Sequence, residues 1–392
     1  ERNFMLPYLA PWLTRFWGPF RLFESHLTLI CMGACLAACL TFYLLPRLWK
    51  FLPRDQGKPF VKNSEEAKGK PTGAGIIFVL LCVACLVLVL PPSWKLWGII
   101  GCLLLSMMTG FLDDASEVSW SEQKKGLWDA VVALIAAVIL CEGQDAVIWL
   151  PLFKGSQPGG GFLVPFWLYL PCATAFLWVS INVVNCSDGV DGMAGSLALL
   201  GLGGLGAFLY GIVGHVTLSK YLLIPHNPEG AYWGILIFTA AGSLAGYIWH
   251  NANPSAVLMG DAGSRFLGLL IGLGVLAAGN PFLYLAVAPI LLVDGGIGLL
   301  KLSFLRSLKK LGYDVRAPLR NIVNPKNPAN FASDEEVSRQ LFIVRWIHRF
   351  RCPIHDHCRK NLGWSVTQVV MRFMLLQSLL MPLILILIIK LR

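Results

Sequence analysis

Three short segments bring carboxylates, amides and glycines to the ends of apolar runs. Gly110-Phe-Leu-Asp113-Asp114 closes one run with two adjacent carboxylates. Such a pair suits a hard cation with oxygen ligands, Mg2+ above all, and is otherwise a helix end standing in water. Asn182-Val-Val-Asn185-Cys-Ser-Asp188-Gly-Val-Asp191-Gly192 leads out of another run. Asn182, Asn185 and Asp188 are spaced by three and share a face if the helix continues, while Asp188-Gly and Asp191-Gly are turn signals. Buried Asn and Asp need partners, so this polar stripe points to a site rather than to a capped loop. A third run leads into His250-Asn251-Ala-Asn253-Pro254 and Met259-Gly260-Asp261-Ala-Gly263-Ser264-Arg265. Gly-rich backbone beside an acid and ahead of a helix can cradle phosphate on free N–H groups. Asp261 could instead be a plain N-cap for the helix that follows.

Carboxylates alone repel an anion. Carboxylates with Mg2+, Lys and His reverse this, and the combination suits a diphosphate-bearing substrate.

The elements that must position these residues are membrane helices. Of 392 residues, 56% are hydrophobic and only 14% charged, with a mean hydropathy of +0.64. Disorder, collagen and a soluble disulfide-stapled module are excluded. Apolar runs start near Leu27, Gly73, Trp94, Leu127, Phe162, Met193, Ala231, Arg265, Phe282 and Val366. The expectation is an all-α, polytopic membrane protein of ten spans forming a single domain over 1–392, with an extended cytoplasmic loop at about 302–364. The eighth and ninth spans are separated only by Gly279-Asn280-Pro281. No cleavable signal peptide is expected.

Placing the loops after the odd-numbered spans on one side puts 24 of the 32 Lys and Arg residues there. By the positive-inside bias that side is cytoplasmic and both termini lie outside. The same side collects 17 of the 22 Asp and Glu residues, which charge bias does not require. Several stand at span ends, where an ionised group is expensive without a partner or a task. This distribution also removes nucleic acid as the reason for the net charge of +10.

Other features are weaker pointers. Cys352-Pro-Ile-His355-Asp-His357-Cys358 admits a zinc site as a rival to exposed loop histidines. Asp294, inside the ninth span, should face the bundle interior, as a structural partner or a site edge. The glycines of 201–206 with Gly268, Gly272 and Gly274 let helices approach closely. Arg345-Trp-Ile-His-Arg-Phe-Arg351 is amphipathic and suits a membrane surface. Cys31, Cys35, Cys39, Cys82, Cys85 and Cys102 lie in apolar runs as small hydrophobes rather than in a disulfide framework.

With Pro71-Thr72-Gly-Ala-Gly75 before them and Pro353-Ile-His355-Asp-His357 with Gly363-Trp364 after them, the three segments form five motifs in order. From about residue 46 onward the chain resembles the polyprenyl-phosphate N-acetylhexosamine-1-phosphate transferases. The histidine segment favours their muramoyl-pentapeptide branch. The resemblance implies a bacterial inner-membrane, multi-pass enzyme whose ten-span topology carries the site at the cytoplasmic face. Its implied substrates are UDP-MurNAc-pentapeptide and undecaprenyl phosphate, its products lipid I and UMP, its cofactor Mg2+, and its surroundings membrane lipids, with a homodimer left open.

Carried over by motif, Asp113, Asp114, Asp261 and His355 are implied as catalytic. Asp261, Asp188 and Asp114 are implied as metal ligands. Asn185, Asp188, Asp191, Thr72, Lys70, Lys125, Asn251 and His357 are implied as substrate contacts. Departures from the family pattern are Asp356 in the middle of the histidine run, Glu117 where a lysine follows the aspartate pair, Leu258 where an aromatic is common, and Ala67 at a lysine position that Lys68 or Lys70 can replace. The loop from about 304 to 345 is also longer, with Arg316, Arg320 and Asp334-Glu335-Glu336. Asp113 or Asp114 is expected to take the last proton of the lipid phosphate. Direct attack and an aspartate-bound intermediate both remain open, with direct attack favoured. Two other functions stand beside this one: a sibling that moves GlcNAc-1-phosphate or another amino-sugar phosphate, and an ion-coupled transporter. Against a transporter stand acids gathered at span ends rather than at the midplane, and no half-to-half repeat.

Overall fold

Long stretches of Leu, Val, Ile, Ala and Phe satisfy their backbone internally by coiling into helices, the cheapest solution in a hydrocarbon solvent. The computed structural model describes residues 6–55, 68–118, 120–157, 160–318 and 331–391. A short α1 (Leu6–Leu13) precedes α2 (His26–Leu48), α3 (Gly75–Val89), α4 (Trp94–Asp114) and α5 (Glu122–Cys141). A small antiparallel ribbon follows, β1 (Ala146–Ile148) on β2 (Phe162–Val164), with Ala146 opposite Val164. Then come α6 (Phe166–Ser187), α7 (Met193–Phe208), α8 (Val216–Tyr221), α9 (Gly230–Asn251), α10 (Gly260–Ala277), α11 (Leu283–Val287) and α12 (Pro289–Lys310). Three short helices, α13 (Asp334–Arg339), α14 (Phe342–Arg349) and α15 (Ile354–Lys360), lead into α16 (Val366–Lys390).

Among the described residues, seven helical stretches are long and apolar enough to cross a membrane: His26–Phe51, Trp94–Asp114, Phe166–Ser187, Met193–Val213, Gly230–Asn251, Gly260–Ala277 and Val366–Lys390. The chain is a polytopic helical membrane protein. The other three expected spans coincide with α3, which has only 15 residues, and with α5 and α12, which carry more charge. Two boundaries differ from expectation. The eighth span begins at Gly260 rather than Arg265, and α12 continues to Lys310, past the expected start of the cytoplasmic loop. The break at Gly279-Asn280-Pro281 is real: Gly279 adopts φ +74° and the Trp149 indole donates to the Ala278 carbonyl at 2.7 Å. The ribbon was not expected. Within the long loop, Arg320 lies outside the described residues.

The centre of the bundle is α10, of whose apolar window 83% is buried, against 17% for α16. Small residues let its neighbours close in on it. A Cβ at Gly75 or Gly110 would collide with the backbone at 261–263, and one at Gly268 would lie 2.6 Å from Ile181 Cα. The α2–α9 contact is similar, since a Cβ at Gly246 would lie 2.5 Å from the Ala38 carbonyl. It is cross-linked by Thr41 to Ser243 at 2.8 Å, and Ser243 donates on to the Phe78 carbonyl at 2.6 Å. Such packing of small residues with interhelical hydrogen bonds is how helices associate in lipid. All eleven cysteines are free. Cys82, Cys85 and Cys102 are buried as expected, but Cys31, Cys35 and Cys39 are exposed along one side of α2. Their i, i+4 spacing places them on the face turned from the bundle.

Candidate functional site

The site is built around the first turn of α10. Residues Pro71–Gly75 run alongside the approach to that helix. The Leu258 N–H donates to the Pro71 carbonyl at 2.8 Å, and the Ala74 and Gly75 N–H groups donate back to Leu258 and Met259 at 3.1 Å. Thr72 is held in this strip by its own N–H to the Pro53 carbonyl at 2.9 Å. Gly260 turns the chain into the helix with φ +70°, a conformation natural to glycine. Asp261 then lies inside the first turn and not at the N-cap position. The capping is done from another helix. Asp114, at the end of α4, accepts the Asp261 N–H on Oδ1 and the Ala262 N–H on Oδ2, both at 3.0 Å. One expectation changes here: these two N–H groups are not free to cradle phosphate, because Asp114 takes one on each carboxylate oxygen.

A chain of alternating charges runs through the site. Asp113 forms an ion pair with Lys125 and accepts the Trp120 N–H at 2.7 Å. Lys125 also reaches Asp261 Oδ2 at 3.1 Å. Arg265, one turn along α10, donates to the same oxygen at 3.2 Å and to Asp129 at 3.0 Å. The side chains of Arg265 and Asp129 are only 2% and 4% exposed. Asn182 donates to Asp129 at 3.4 Å and to the Trp178 carbonyl at 2.9 Å. Asn185 donates to Ser264 at 3.0 Å. The expected stripe on α6 therefore faces α5 and α10, and Asp188 caps its end. Asp129 and the pairing role of Arg265 are not among the sequence-based candidates. The available signal is spacing: Asp129 follows Lys125 by four, and Arg265 follows Asp261 by four, so each pair shares a helix face.

A second cluster ties the two remaining loops together. Lys70 donates to Ser255 at 3.1 Å and pairs with Asp191 at 3.8 Å, and Asp191 accepts the Ser255 N–H at 3.2 Å. Asn251 is 5% exposed. Its Oδ1 accepts the Gly192 N–H at 2.9 Å and its amide donates to the Val257 carbonyl at 2.8 Å. The Asn251 side chain braces the Gly192 turn against the loop before α10.

His355 is buried at the start of α15. Its backbone N–H and its Nδ1 each meet Asp294 of α12 at 2.8 Å. Its Nε2 packs against Gly189, whose missing Cβ would stand 2.5 Å away. His357 is turned elsewhere, with Nδ1 accepting the Arg351 N–H at 3.4 Å and the ring against Phe350. Asp356 pairs with Lys360 at 2.8 Å along the helix, so the residue that interrupts the histidine run points away from His355. Ala67 lies outside the described residues.

A zinc site does not fit. Even an open site needs three protein ligands, and among the described residues no three of His, Cys, Asp or Glu are so grouped. A Mg2+ ion makes a lighter demand, because it keeps several waters and takes one or two carboxylates plus substrate phosphate. The Asn185–Ser264 bond joins the α6 and α10 ends, and the carboxylates of Asp188 and Asp261 at those ends are the ligand type that demand calls for. The Lys125 ammonium already stands where two carboxylates require a positive charge.

Residues 96–279 match the family model for glycosyl transferase family 4. A phospho-N-acetylmuramoyl-pentapeptide-transferase from Treponema pallidum (strain Nichols) is 40% identical over 390 residues, covering 97% of this chain and 94% of that protein. One of the same name from Helicobacter pylori (strain J99) is 25% identical over 364 residues, covering 89% of this chain and 90% of that protein. Another from Nautilia profundicola is 26% identical over 370 residues, covering 90% and 92%.

Proposed function

The chain belongs to the phospho-N-acetylmuramoyl-pentapeptide-transferase family, and we propose that it moves phospho-N-acetylmuramoyl-pentapeptide from UDP-MurNAc-pentapeptide to undecaprenyl phosphate. The products are lipid I and UMP, made during peptidoglycan biosynthesis. The observation that carries this proposal is the run from Asp113 through Lys125, Asp261 and Arg265 to Asp129. It draws charges from three helices to one end of the bundle, where a soluble nucleotide can meet a lipid. The proposed topology has ten spans in the bacterial inner membrane, with both termini outside and this end in the cytoplasm, as the Lys and Arg bias favours.

One phosphoanhydride is exchanged for another, so the barrier lies in bringing two anions together. Catalysis then rests on positioning and charge stabilisation. Asp261 and Asp188 would hold Mg2+, which when bound supplies Lewis-acid polarisation of the diphosphate and eases departure of UMP. Asp113, the member of the pair that joins the side-chain charges, takes the remaining proton of the lipid phosphate. The lipid phosphate oxygen then bonds to the phosphorus next to the sugar as the bond to UMP breaks. Lys125 neutralises charge beside Asp113. His355 supplies a ring nitrogen near the 188–191 loop, suited to orient a substrate hydroxyl or amide there.

The test is Asp261→Asn, purified alongside the parent. UMP release in Mg2+ should vanish while insertion and purification stay normal, and full activity would defeat the metal assignment. Mass spectrometry of the lipid product from UDP-MurNAc-pentapeptide, against UDP-GlcNAc, separates this function from the sibling one.

A further inference from the structure

Asp294 is buried in α12, which the proposed topology takes as a span, and an ionised side chain there needs a reason. It is 1% exposed, and His355 is 3% exposed. The two groups form a closed unit. One carboxylate oxygen accepts the His355 backbone N–H and the other meets Nδ1, each at 2.8 Å. The backbone bond fixes the start of α15, and the ring bond fixes the plane of the imidazole. A carboxylate only accepts, so Nδ1 must carry the proton, and the lone pair falls to Nε2. Among the described residues Nε2 has no hydrogen-bond partner, yet it is not among the fully enclosed polar atoms. It opens against Gly189, between Asp188 and Asp191, where any side chain at 189 would displace it.

We propose that Asp294 is the positioning residue for His355: it fixes the Nδ1–H tautomer and the ring plane so that the Nε2 lone pair alone faces the 188–191 loop, ready to accept from a hydroxyl or amide N–H of the substrate bound there. This deepens the proposed transferase function and rests on it for the identity of the substrate. The second carboxylate bond makes the arrangement more specific than a buried His with a convenient acceptor. It locks backbone and ring to one group, so the ring cannot rotate without losing the helix start. Outer partners of this kind set tautomer and orientation in catalytic histidines generally.

The test uses the full-length chain in detergent or nanodiscs, with Asp294→Asn, Asp294→Glu and Asp294→Ala. Asn matches Asp in size but presents an N–H or a neutral oxygen to Nδ1, whereas Glu keeps the charge at the cost of an extra methylene in a tight site. A merely structural role predicts that Asn outperforms Glu. The proposal predicts the reverse: Asp294→Asn and Asp294→Ala lower kcat by about 10–100-fold, with KM for UDP-MurNAc-pentapeptide within about twofold, and Asp294→Glu recovers part of the loss. A wild-type kcat in Asp294→Asn, or Asn ahead of Glu, overturns it. An activity-free readout keeps the two proposals apart. Protein labelled with [15N]histidine, with His355 assigned by difference from His355→Gln, should show Nδ1 protonated in the parent and the opposite tautomer in Asp294→Asn. If the parent turns over neither donor but shows this switch, the substrate assignment fails and the positioning role stands. If the parent already carries its proton on Nε2, the positioning role fails whatever the donor.

Discussion

Asp114 holds Asp261 by its backbone. Oδ1 of Asp114 takes the Asp261 N–H and Oδ2 takes that of Ala262, each at 3.0 Å, while the neighbouring Asp113 is the member of the pair that joins side-chain charges through Lys125. Two adjacent aspartates thus do different work, one fixing where the α10 carboxylate stands and the other entering the charge chain.

The two substitutions should separate. In Asp114→Asn one oxygen becomes an NH2 that faces a backbone donor, so a helix cap is lost at about 1–2 kcal/mol and the first turn of α10 loosens. Thermal unfolding in detergent should show a clear drop, with UMP release reduced. Asp113→Asn should unfold near the parent temperature and lose activity through the missing proton acceptor and the broken Lys125 pair. Equal thermal losses in both would remove the distinction.

Gly260→Ala tests the turn that delivers Asp261. A φ of +70° strains any L-residue, by about 1–2 kcal/mol, and the added Cβ collides with the Asp114 carboxylate. The expected result is a protein less stable than Asp114→Asn with no measurable UMP release. An active, thermally normal Gly260→Ala would show that α10 starts differently.

The Arg265–Asp129 pair is almost wholly enclosed. Removing one partner leaves an uncompensated charge, which costs about 3–5 kcal/mol, whereas replacing both with apolar groups is much cheaper. Arg265→Leu should therefore be strongly destabilised, and the double variant Arg265→Leu with Asp129→Leu should recover most of its thermal midpoint without regaining full activity, because Asp261 has still lost a cation. Thermal scans of Arg265→Leu, Asp129→Leu, the double variant and the parent decide this. Additive losses would refute the pairing argument.

The sequence makes Asp113, Asp188 and Asp261 visible as site residues because each interrupts or ends an apolar run, where an acid is costly. The polar stripe at Asn182 and Asn185 is visible through its helical spacing. Asp114 as a cap is not visible, since its partners are backbone groups on a distant helix and carry no side-chain signature. The bracing role of Asn251 is hidden for the same reason: its polar type shows in the sequence, but the backbone groups it holds do not. Asp129 lies four residues beyond Lys125, inside a run that otherwise looks like an ordinary span, and Arg265 counts as one more basic residue at a span end until Asp129 is placed beside it. The ten-run pattern finds the helices well, but it starts α10 at Arg265, because the polar first turn that holds Asp261 is the part that hydropathy discards.

Lys125 stands between Asp113 and Asp261, and its removal makes two opposing changes. Lys125→Met takes a positive charge away from the place where substrate charge must be stabilised, so kcat should fall by about 100-fold. It also leaves two carboxylates with less compensation, which strengthens the local attraction for a divalent cation. The Mg2+ concentration giving half-maximal UMP release should therefore drop in Lys125→Met even as the maximal rate falls. Lys125→Arg keeps the charge but not the compact ammonium, and should hold the Mg2+ requirement near the parent value while restoring only part of the rate. A Mg2+ titration of UMP release across the three proteins measures both quantities at once. A variant with unchanged rate and unchanged Mg2+ requirement would place Lys125 outside the machinery and leave the Asp113–Asp261 pair without its link.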